Sequence, residues 1–219
     1  MDDEIQHALS QLAETYLDAH GPDTPLGVGW TRAFLGRYEA MFDLIRWDRG
    51  RDADAPVVLA DLGCGAGHFY EFVQQRADWE FDYTGIDIST AFLDASRARF
   101  PEAQFVELDI LKHQGPLPEF DYVIANGLLN SKGELSWDAM WDYSKRLIRA
   151  AYSMTRRGLA FNVMTTHLDW ERPDLFHVAF DDMATFVRAE LSHHFVFRQD
   201  YGAFEYTIYV YRGPSTSPD

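Results

Sequence analysis

The sequence has a single cysteine, no long apolar run and no excess of basic residues. Cys64 cannot form a disulfide within the chain, which favours a reducing compartment. No apolar run reaches the ~20 residues that a membrane-spanning helix needs, and the acidic, polar N-terminus is unlike a secretory signal peptide. These absences predict a cytoplasmic protein that has no membrane partner.

Basic residues are outnumbered, with 19 Lys and Arg against 35 Asp and Glu and a formal net charge of -16. A surface of this charge repels phosphate backbones. The densest basic stretch, KRLIRAAYSMTRRG at 145–158, has the spacing of a helix and its C-terminal end, where cations are favourable. We therefore predict no nucleic-acid partner.

The pattern of apolar residues changes near residue 50. Before it, helical spacing predicts one helix over about 5–17 and a second over about 31–47. After it, short apolar runs alternate with helical stretches, which predicts parallel strands with crossover helices on both faces of a sheet. The last two runs are too close for a crossover and predict an antiparallel hairpin.

These elements predict one doubly wound α/β sheet of seven strands, mostly parallel, with a C-terminal antiparallel hairpin and N-terminal helices. We expect residues 1–50 to form a helical lid, residues 51–213 the α/β domain, and residues 214–219 a frayed tail.

A glycine-rich turn follows the first predicted strand. The apolar run ends in Asp61, and Gly63, Gly65 and Gly67 come next at intervals of two. Dinucleotide-binding turns have the spacing G-x-G-x-x-G, which would need a glycine where His68 stands, and the G-K-[ST] of a phosphate-binding loop does not occur. A ligand site or an ordinary tight turn both explain the glycines.

The segment VLADLGCGAGHF resembles the first motif of the class I S-adenosylmethionine-dependent methyltransferases. The resemblance extends from about Val57 to the C-terminus, and it implies a Rossmann-like fold with S-adenosyl-L-methionine as cofactor. It also implies that Asp61 and the loop from Gly63 through Cys64 and Gly65 to Gly67 hold the amino-acid end of that cofactor.

Three further strand ends fit the same family. The family places an acid for the ribose hydroxyls after the second strand, an acid and an apolar residue at the adenine after the third, and a turn near the transferred methyl after the fourth. The matching residues are Asp87 with Ile88, Asp109 with Ile110, and Asn126 with Gly127. Each has an ordinary alternative; Asp87, for example, competes with Ser89 as the N-cap of the next helix.

The segment before the domain resembles a small-molecule subgroup of this superfamily, on Gly27, Val28, Trp30, Arg37 and Tyr38. We expect Trp30 to line the methyl-transfer chamber and Arg37 to pair with the carboxylate of the cofactor. A core tryptophan and a surface arginine are the ordinary alternative.

The resemblance implies a methyltransferase acting on a small molecule, with O-methylation favoured over N-methylation. His167 is the candidate general base because imidazole titrates near neutral pH, although a structural loop histidine is the alternative. Candidate substrate contacts are Asn130, His167, Tyr201 and Tyr206.

Other interpretations of the sequence stay open. A non-catalytic, cofactor-binding member of the fold is the main alternative, whereas the glycine spacing and the end hairpin disfavour a nicotinamide dehydrogenase. No metal site is predicted, because His167, Asp169, Glu171 and His177 lack a recognisable ligand spacing. Trp137 and Trp141 share a helix face, for core packing or for substrate stacking. We expect a monomer or a homodimer.

Overall fold

The computed structural model describes residues 2–22, 32–76 and 78–214. The elements in chain order are α1 (Asp2–His20), α2 (Arg32–Arg46), β1 (Val57–Leu62), α3 (His68–Gln74), β2 (Phe81–Asp87), α4 (Thr90–Arg99), β3 (Gln104–Glu107), β4 (Phe120–Ala125), α5 (Trp137–Ser153), β5 (Thr155–Thr165), β6 (His177–Val178), α6 (Phe180–Glu190), β7 (His194–Arg198) and β8 (Glu205–Tyr211).

The strands form a single mixed sheet in the order β3-β2-β1-β4-β5-β8-β7. Strands β1 to β5 run parallel, and β8 is antiparallel to both β5 and β7. The predicted parallel sheet and end hairpin are therefore confirmed. The strand order reverses between β1 and β4, which opens a crevice at the carboxyl ends of these strands.

All seven predicted strands are present, and the structure adds a short one. Within the described residues the sheet has eight strands, since the two-residue β6 pairs in parallel with Met164 and Thr165 of β5. A strand of two residues is too short for an alternating pattern, so β6 is indistinguishable from a loop in the sequence.

Helices cover both faces of the sheet. Helices α5 and α6 pack on one face of the sheet, and α2, α3 and α4 pack on the other. Each face has its own hydrophobic core cluster. Helix α5 shows why it packs: Met140, Tyr143 and Leu147 recur every three or four residues and are buried, which places them on one face of the helix. Within the described residues, no helix is long and apolar enough to cross a membrane.

The two N-terminal helices have different positions. Helix α2 buries Met41, Phe42, Leu44 and Ile45 in the core, and the Tyr211 hydroxyl of β8 donates a hydrogen bond to the Leu44 carbonyl at 3.0 Å. The expectation of a lid over residues 1–50 is therefore wrong for α2, which is a layer of the fold.

Helix α1 lies across the carboxyl edge of the sheet. Gln6 Nε2 donates to Asp109 Oδ1 at 3.0 Å, and Ser89 Oγ donates to Glu14 Oε1 at 2.5 Å. Gly21, with φ of 74°, ends this helix, and its N–H donates to the Leu17 carbonyl, as expected for a C-terminal glycine cap. A lid role remains a prediction for α1 alone.

Candidate active site

The glycine turn joins β1 to α3 at the carboxyl edge. Gly63, Gly65 and Gly67 have φ of 74°, 52° and 78°, a region that side chains disfavour. A Cβ on Gly63 would lie 2.8 Å from Leu128 Cδ1, and a larger residue there would also require the Leu128 side chain to shift. The Gly63 and Cys64 N–H groups donate to the Ile86 carbonyl at 2.7 and 3.1 Å, which fixes the turn to the end of β2.

Asp61 is a buried carboxyl at the end of β1. It is 2% exposed, and the Tyr83 hydroxyl donates to its Oδ2 at 2.7 Å. Burial raises the pKa of Asp61 to about 7; the Tyr83 hydrogen bond lowers it in part, and the nearby Asp87 carboxylate raises it. A carboxyl with this pKa changes charge near neutral pH and gains most from a cationic partner.

Asp87 is held rigidly at the end of β2. The Gly65 N–H donates to its Oδ2 at 2.9 Å and the Ser89 N–H to its Oδ1 at 3.0 Å. Burial raises the pKa of Asp87, against the effect of these backbone hydrogen bonds. The cap of α4 is Ser89, whose hydroxyl accepts from the Phe92 N–H. Asp87 therefore does not cap α4. Ile88, the next residue, is exposed.

Asp109 follows β3 and meets α1. Its Oδ1 accepts from Gln6 Nε2 and from the Leu111 N–H, both at 3.0 Å, and Lys112 Nζ lies 3.3 Å from Oδ2. Ile110 is buried in the core beside it.

The turn after β4 is polar and closely packed. Gly127 has φ of 76°, and its N–H donates to Asn162 Oδ1 at 2.7 Å. Among the described residues, Asn126 Oδ1 and Asn162 Nδ2 are buried without a hydrogen-bond partner. Buried polar atoms of this kind normally have partners, and these two atoms therefore mark the turn as a candidate position for a polar ligand group.

Arg37 forms a two-pronged ion pair with Glu205. Its Nε donates to Oε1 and its Nη2 to Oε2, both at 2.6 Å. Asn130 Nδ2 donates to Oε2 at 2.6 Å, and the Tyr201 hydroxyl to Oε1 at 3.3 Å. Glu205 is not among the site residues predicted above from the sequence, although an acid at the head of the otherwise uncharged strand EYTIYVY is the signal that could have indicated it.

The candidate substrate and catalytic residues are separated by the structure. Asn130 and Tyr201 meet at Glu205, as described above. Tyr206 needs a correction: it is fully buried, donates to the Val178 carbonyl and packs against Phe180. The burial of an aromatic ring leaves it no surface for a substrate. Trp30 lies outside the described residues.

His167 lies on the exposed loop after β5. Its ring packs edge-on against Phe180 with 4.8 Å between ring centroids. Its backbone N–H donates to Thr165 Oγ1. Its role as a base remains a prediction.

A cavity of about 470 Å³ lies between the loops that follow β4 and β5, and its lining includes Lys132, Trp137 and His177. Trp137 Nε1 donates to the His177 carbonyl at 2.8 Å. His177 Nδ1 donates to the Thr165 carbonyl at 2.7 Å, and its Nε2 has no partner in the described part of the chain. Trp137 also packs on Trp141, with 5.6 Å between ring centroids. Trp141 packs against the core, whereas Trp137 is exposed and borders the cavity.

The described residues contain no group of three His, Cys, Asp or Glu side chains that could hold a metal ion.

Comparison with known proteins identifies the family. Residues 59–158 match a family described as a methyltransferase domain. Rv1506c of Mycobacterium tuberculosis, named as a methyltransferase, is 31% identical over 169 residues, which cover 73% of this chain and 95% of that protein. The chain belongs to the class I S-adenosylmethionine-dependent methyltransferases.

Two further similarities define how far the likeness extends. The trans-aconitate 2-methyltransferase of Escherichia coli is 43% identical over 72 residues, which cover 32% of this chain and 27% of the enzyme. The fold of magnesium protoporphyrin IX methyltransferase from Synechocystis, solved with S-adenosylhomocysteine, matches with a TM-score of 0.65 at 13% identity, covering 94% of this chain and 100% of that one.

The cofactor of this methyltransferase is S-adenosylmethionine, and the chemistry of the site fits it. Its methionine end carries an ammonium and a carboxylate, and its ribose carries hydroxyl donors. The carboxyl edge offers a buried acid at Asp61, a fixed acceptor at Asp87 and a left-handed glycine turn between them. Acids accept from ammonium and hydroxyl groups, and a turn with glycine at three of its five positions admits the ligand closely.

Proposed function

We propose that this methyltransferase, of the EC 2.1.1 class, methylates a small-molecule acceptor and favours oxygen over nitrogen. The proposal rests chiefly on the arrangement of Asp87 against the glycine turn, where one carboxylate is fixed by the Gly65 and Ser89 N–H groups. A rigid acceptor is what selective binding of a ribose diol requires. A cytoplasmic location and a monomeric or homodimeric state belong to the same proposal.

Each binding residue has a proposed partner on the cofactor. Asp61 and the backbone from Gly63 through Cys64 and Gly65 to Gly67 are proposed to hold the amino-acid end, whose carboxylate would pair with Arg37. The ribose is proposed to be bound by Asp87 and Ile88, and the adenine by Asp109 and Ile110. The residues proposed at the reactive end are Asn126, Gly127 and Trp30.

The acceptor is proposed to bind beside the turn after β4, near Asn130, Tyr201 and His167. The cavity between the loops after β4 and β5 has the volume of a small-molecule site, although its lining contains none of these three side chains. Its Lys132 ammonium donates to the Gly133 and Leu135 carbonyls, and Trp137 supplies an aromatic wall. The similar proteins are consistent with small acceptors, since their names include trans-aconitate and magnesium protoporphyrin IX.

Bound S-adenosylmethionine supplies an electrophilic methyl group, and this chain's part is to orient the acceptor, exclude water and receive a proton. An oxygen acceptor loses its hydroxyl proton as the methyl is attached, and His167 is the proposed proton acceptor. An amine acceptor needs only to bind in its neutral form.

The proposal is tested by ligand binding and by label transfer. S-adenosylmethionine and S-adenosylhomocysteine should raise the melting temperature and NAD should not; saturation at a hundredfold excess over Kd contributes ~2.7 kcal/mol. With a mixture of small hydroxy acids, phenols and amines as acceptors, tritium from the labelled methyl group should then enter a soluble product. Cofactor binding without any labelled product would favour the non-catalytic alternative.

A further inference from the structure

We propose that Glu205 is a positioning residue of the cofactor site, which holds Arg37 against the turn after β4. The inference rests on the proposed role of Arg37 as the partner of the cofactor carboxylate. It assigns a function to a buried acid that lies 168 residues from its arginine in the sequence.

Glu205 reaches this place because of the direction of its strand. Strand β8 is antiparallel to β5, and its first residue, Glu205, pairs with Met164 at the carboxyl end of β5. Side chains alternate along β8: Tyr206 and Ile208 pack on the α5 and α6 face, and Tyr209 packs on the α2 face. Glu205 is in phase with Tyr209, which directs its carboxylate towards α2 and Arg37.

The surroundings of Glu205 are specific for a charged carboxylate. Its side chain is 1% exposed, and a buried carboxylate is costly unless charge and hydrogen bonds compensate it. Two Arg37 donors, Asn130 Nδ2 and the Tyr201 hydroxyl provide four hydrogen bonds from three separate segments. Glu205 therefore fixes these segments relative to one another.

The pairing also fixes the orientation of the guanidinium. A planar fork that makes two parallel hydrogen bonds can neither rotate nor tilt freely. Because Nε and Nη2 face Glu205, the remaining nitrogen, Nη1, is set towards the turn after β4. It lies 3.6 Å from the position that a Cβ on Gly127 would take. This edge of Arg37 is thus presented at the turn where the reactive end of the cofactor is proposed to bind.

The same helix supplies a matched control. Asp43 lies six residues beyond Arg37, ~9 Å further along α2, and it pairs with Arg198 of β7. Its side chain is 7% exposed and that of Arg198 is 18% exposed, against 1% and 16% for Glu205 and Arg37. Both pairs join α2 to the sheet hairpin, but only the Glu205 pair adjoins the turn after β4.

The test measures the affinity for S-adenosylhomocysteine by isothermal titration calorimetry in four full-length variants. Glu205→Gln keeps the side-chain size and should weaken binding at least tenfold, whereas Asp43→Asn should stay within about twofold of the parent. Arg37→Met should weaken binding as much as Glu205→Gln, and the double variant should lose no more than Arg37→Met alone. This lack of additivity is what a residue acting through Arg37 produces, and a loss of affinity without a matching fall in the melting temperature distinguishes positioning from a purely structural loss.

Two results would overturn the inference: unchanged affinity in a folded Glu205→Gln protein, or losses that add in the double variant. If Glu205→Gln does not fold, Glu205→Asp keeps the charge but withdraws it by one methylene, and it should still lose affinity several-fold. A parent that binds no S-adenosylhomocysteine would overturn the cofactor site and this inference together. Tight binding without methyl transfer would contradict the proposed function alone.

Discussion

Two buried carboxyl groups at the carboxyl edge of the sheet, Asp61 and Glu205, differ in their hydrogen-bond and ion-pair partners. Asp61 is buried and accepts a hydrogen bond from the Tyr83 hydroxyl, and burial raises the pKa of Asp61 to about 7. Glu205 is equally buried, but it forms a two-pronged ion pair with Arg37. Asp61 therefore titrates near neutral pH, whereas Glu205 joins α2 to the sheet.

The titration of Asp61 gives a prediction for cofactor binding. The charged carboxylate is the form that attracts an ammonium, so affinity should rise with pH up to about 7 and level off above it. Below that pH the loss should approach tenfold per pH unit, since one pKa unit corresponds to ~1.36 kcal/mol. Calorimetry between pH 5.5 and 8 measures this slope.

Asp61→Asn is the control for that experiment and should bind weakly at every pH with a flat profile. A parent profile equally flat would contradict the assignment of Asp61. The unliganded protein should show the opposite trend: the folded state holds a proton that the unfolded state loses near pH 4. Its free energy of unfolding should thus fall as pH rises from about 4 to 7.

The fixed carboxylate of Asp87 gives a second prediction. Asp87→Ala removes the proposed acceptor for the ribose hydroxyls, and hydrogen bonds to a charged group contribute ~1.5–3 kcal/mol. Titration with S-adenosylhomocysteine should show a corresponding loss of at least tenfold. Asp82→Ala, an exposed acid near the other end of β2, should bind like the parent, and equal affinities for both variants would exclude Asp87 from the site.

Residue types at strand ends could be predicted from the sequence, but their partners could not. The glycine turn and the acids at Asp61, Asp87 and Asp109 all lie at one sheet edge, as their position after apolar runs required. The pairing of Arg37 with Glu205 depends on which strand docks beside β5, and local pattern does not contain this. The prediction of Tyr206 as a substrate contact is wrong for a related reason. Adjacent residues on a strand face opposite sides of the sheet, so Tyr206 faces α5 and α6 while its neighbour Glu205 faces α2.

At the scale of elements, the helices and strands follow the hydrophobic periodicity closely. Helix α5 begins directly after Ser136, whose hydroxyl accepts from the Ala139 N–H, as is usual for an N-cap serine. The role of α2 was different from the expectation because an amphipathic stripe indicates that a helix packs, but not against which surface.

The contrast between α1 and α2 gives a prediction for truncation. Removing residues 1–22 should leave a folded protein with weaker cofactor binding, because α1 contacts Asp109 and Ser89 at the edge. Removing residues 1–50 should unfold it. Four buried apolar side chains of α2 at ~1.5–3 kcal/mol each approach the 5–15 kcal/mol stability of a typical domain. Circular dichroism melting of both truncations decides this, and a stable 51–219 fragment would refute the core role of α2.

The whole molecule carries a net charge of -16, which repels itself in the compact state. Salt screens exposed charges over ~10 Å at 0.1 M ionic strength. We expect the melting temperature to rise by several degrees between low salt and 0.3 M potassium chloride at pH 8. Sucrose at matched osmolality serves as the uncharged control. A melting temperature that falls with salt would mean that surface ion pairs outweigh the repulsion.

The position of β8 in the sheet affects when the growing chain can complete its fold during synthesis. Among the described strands it is synthesised last, yet it occupies the sheet between β5 and β7 and supplies the tyrosine and the glutamate that hold α2. A nascent chain that stops before Glu205 has synthesised every proposed cofactor residue but lacks the anchor for the core helix α2. We therefore expect competence for the cofactor to arise only after β8 has been synthesised and has paired between β5 and β7.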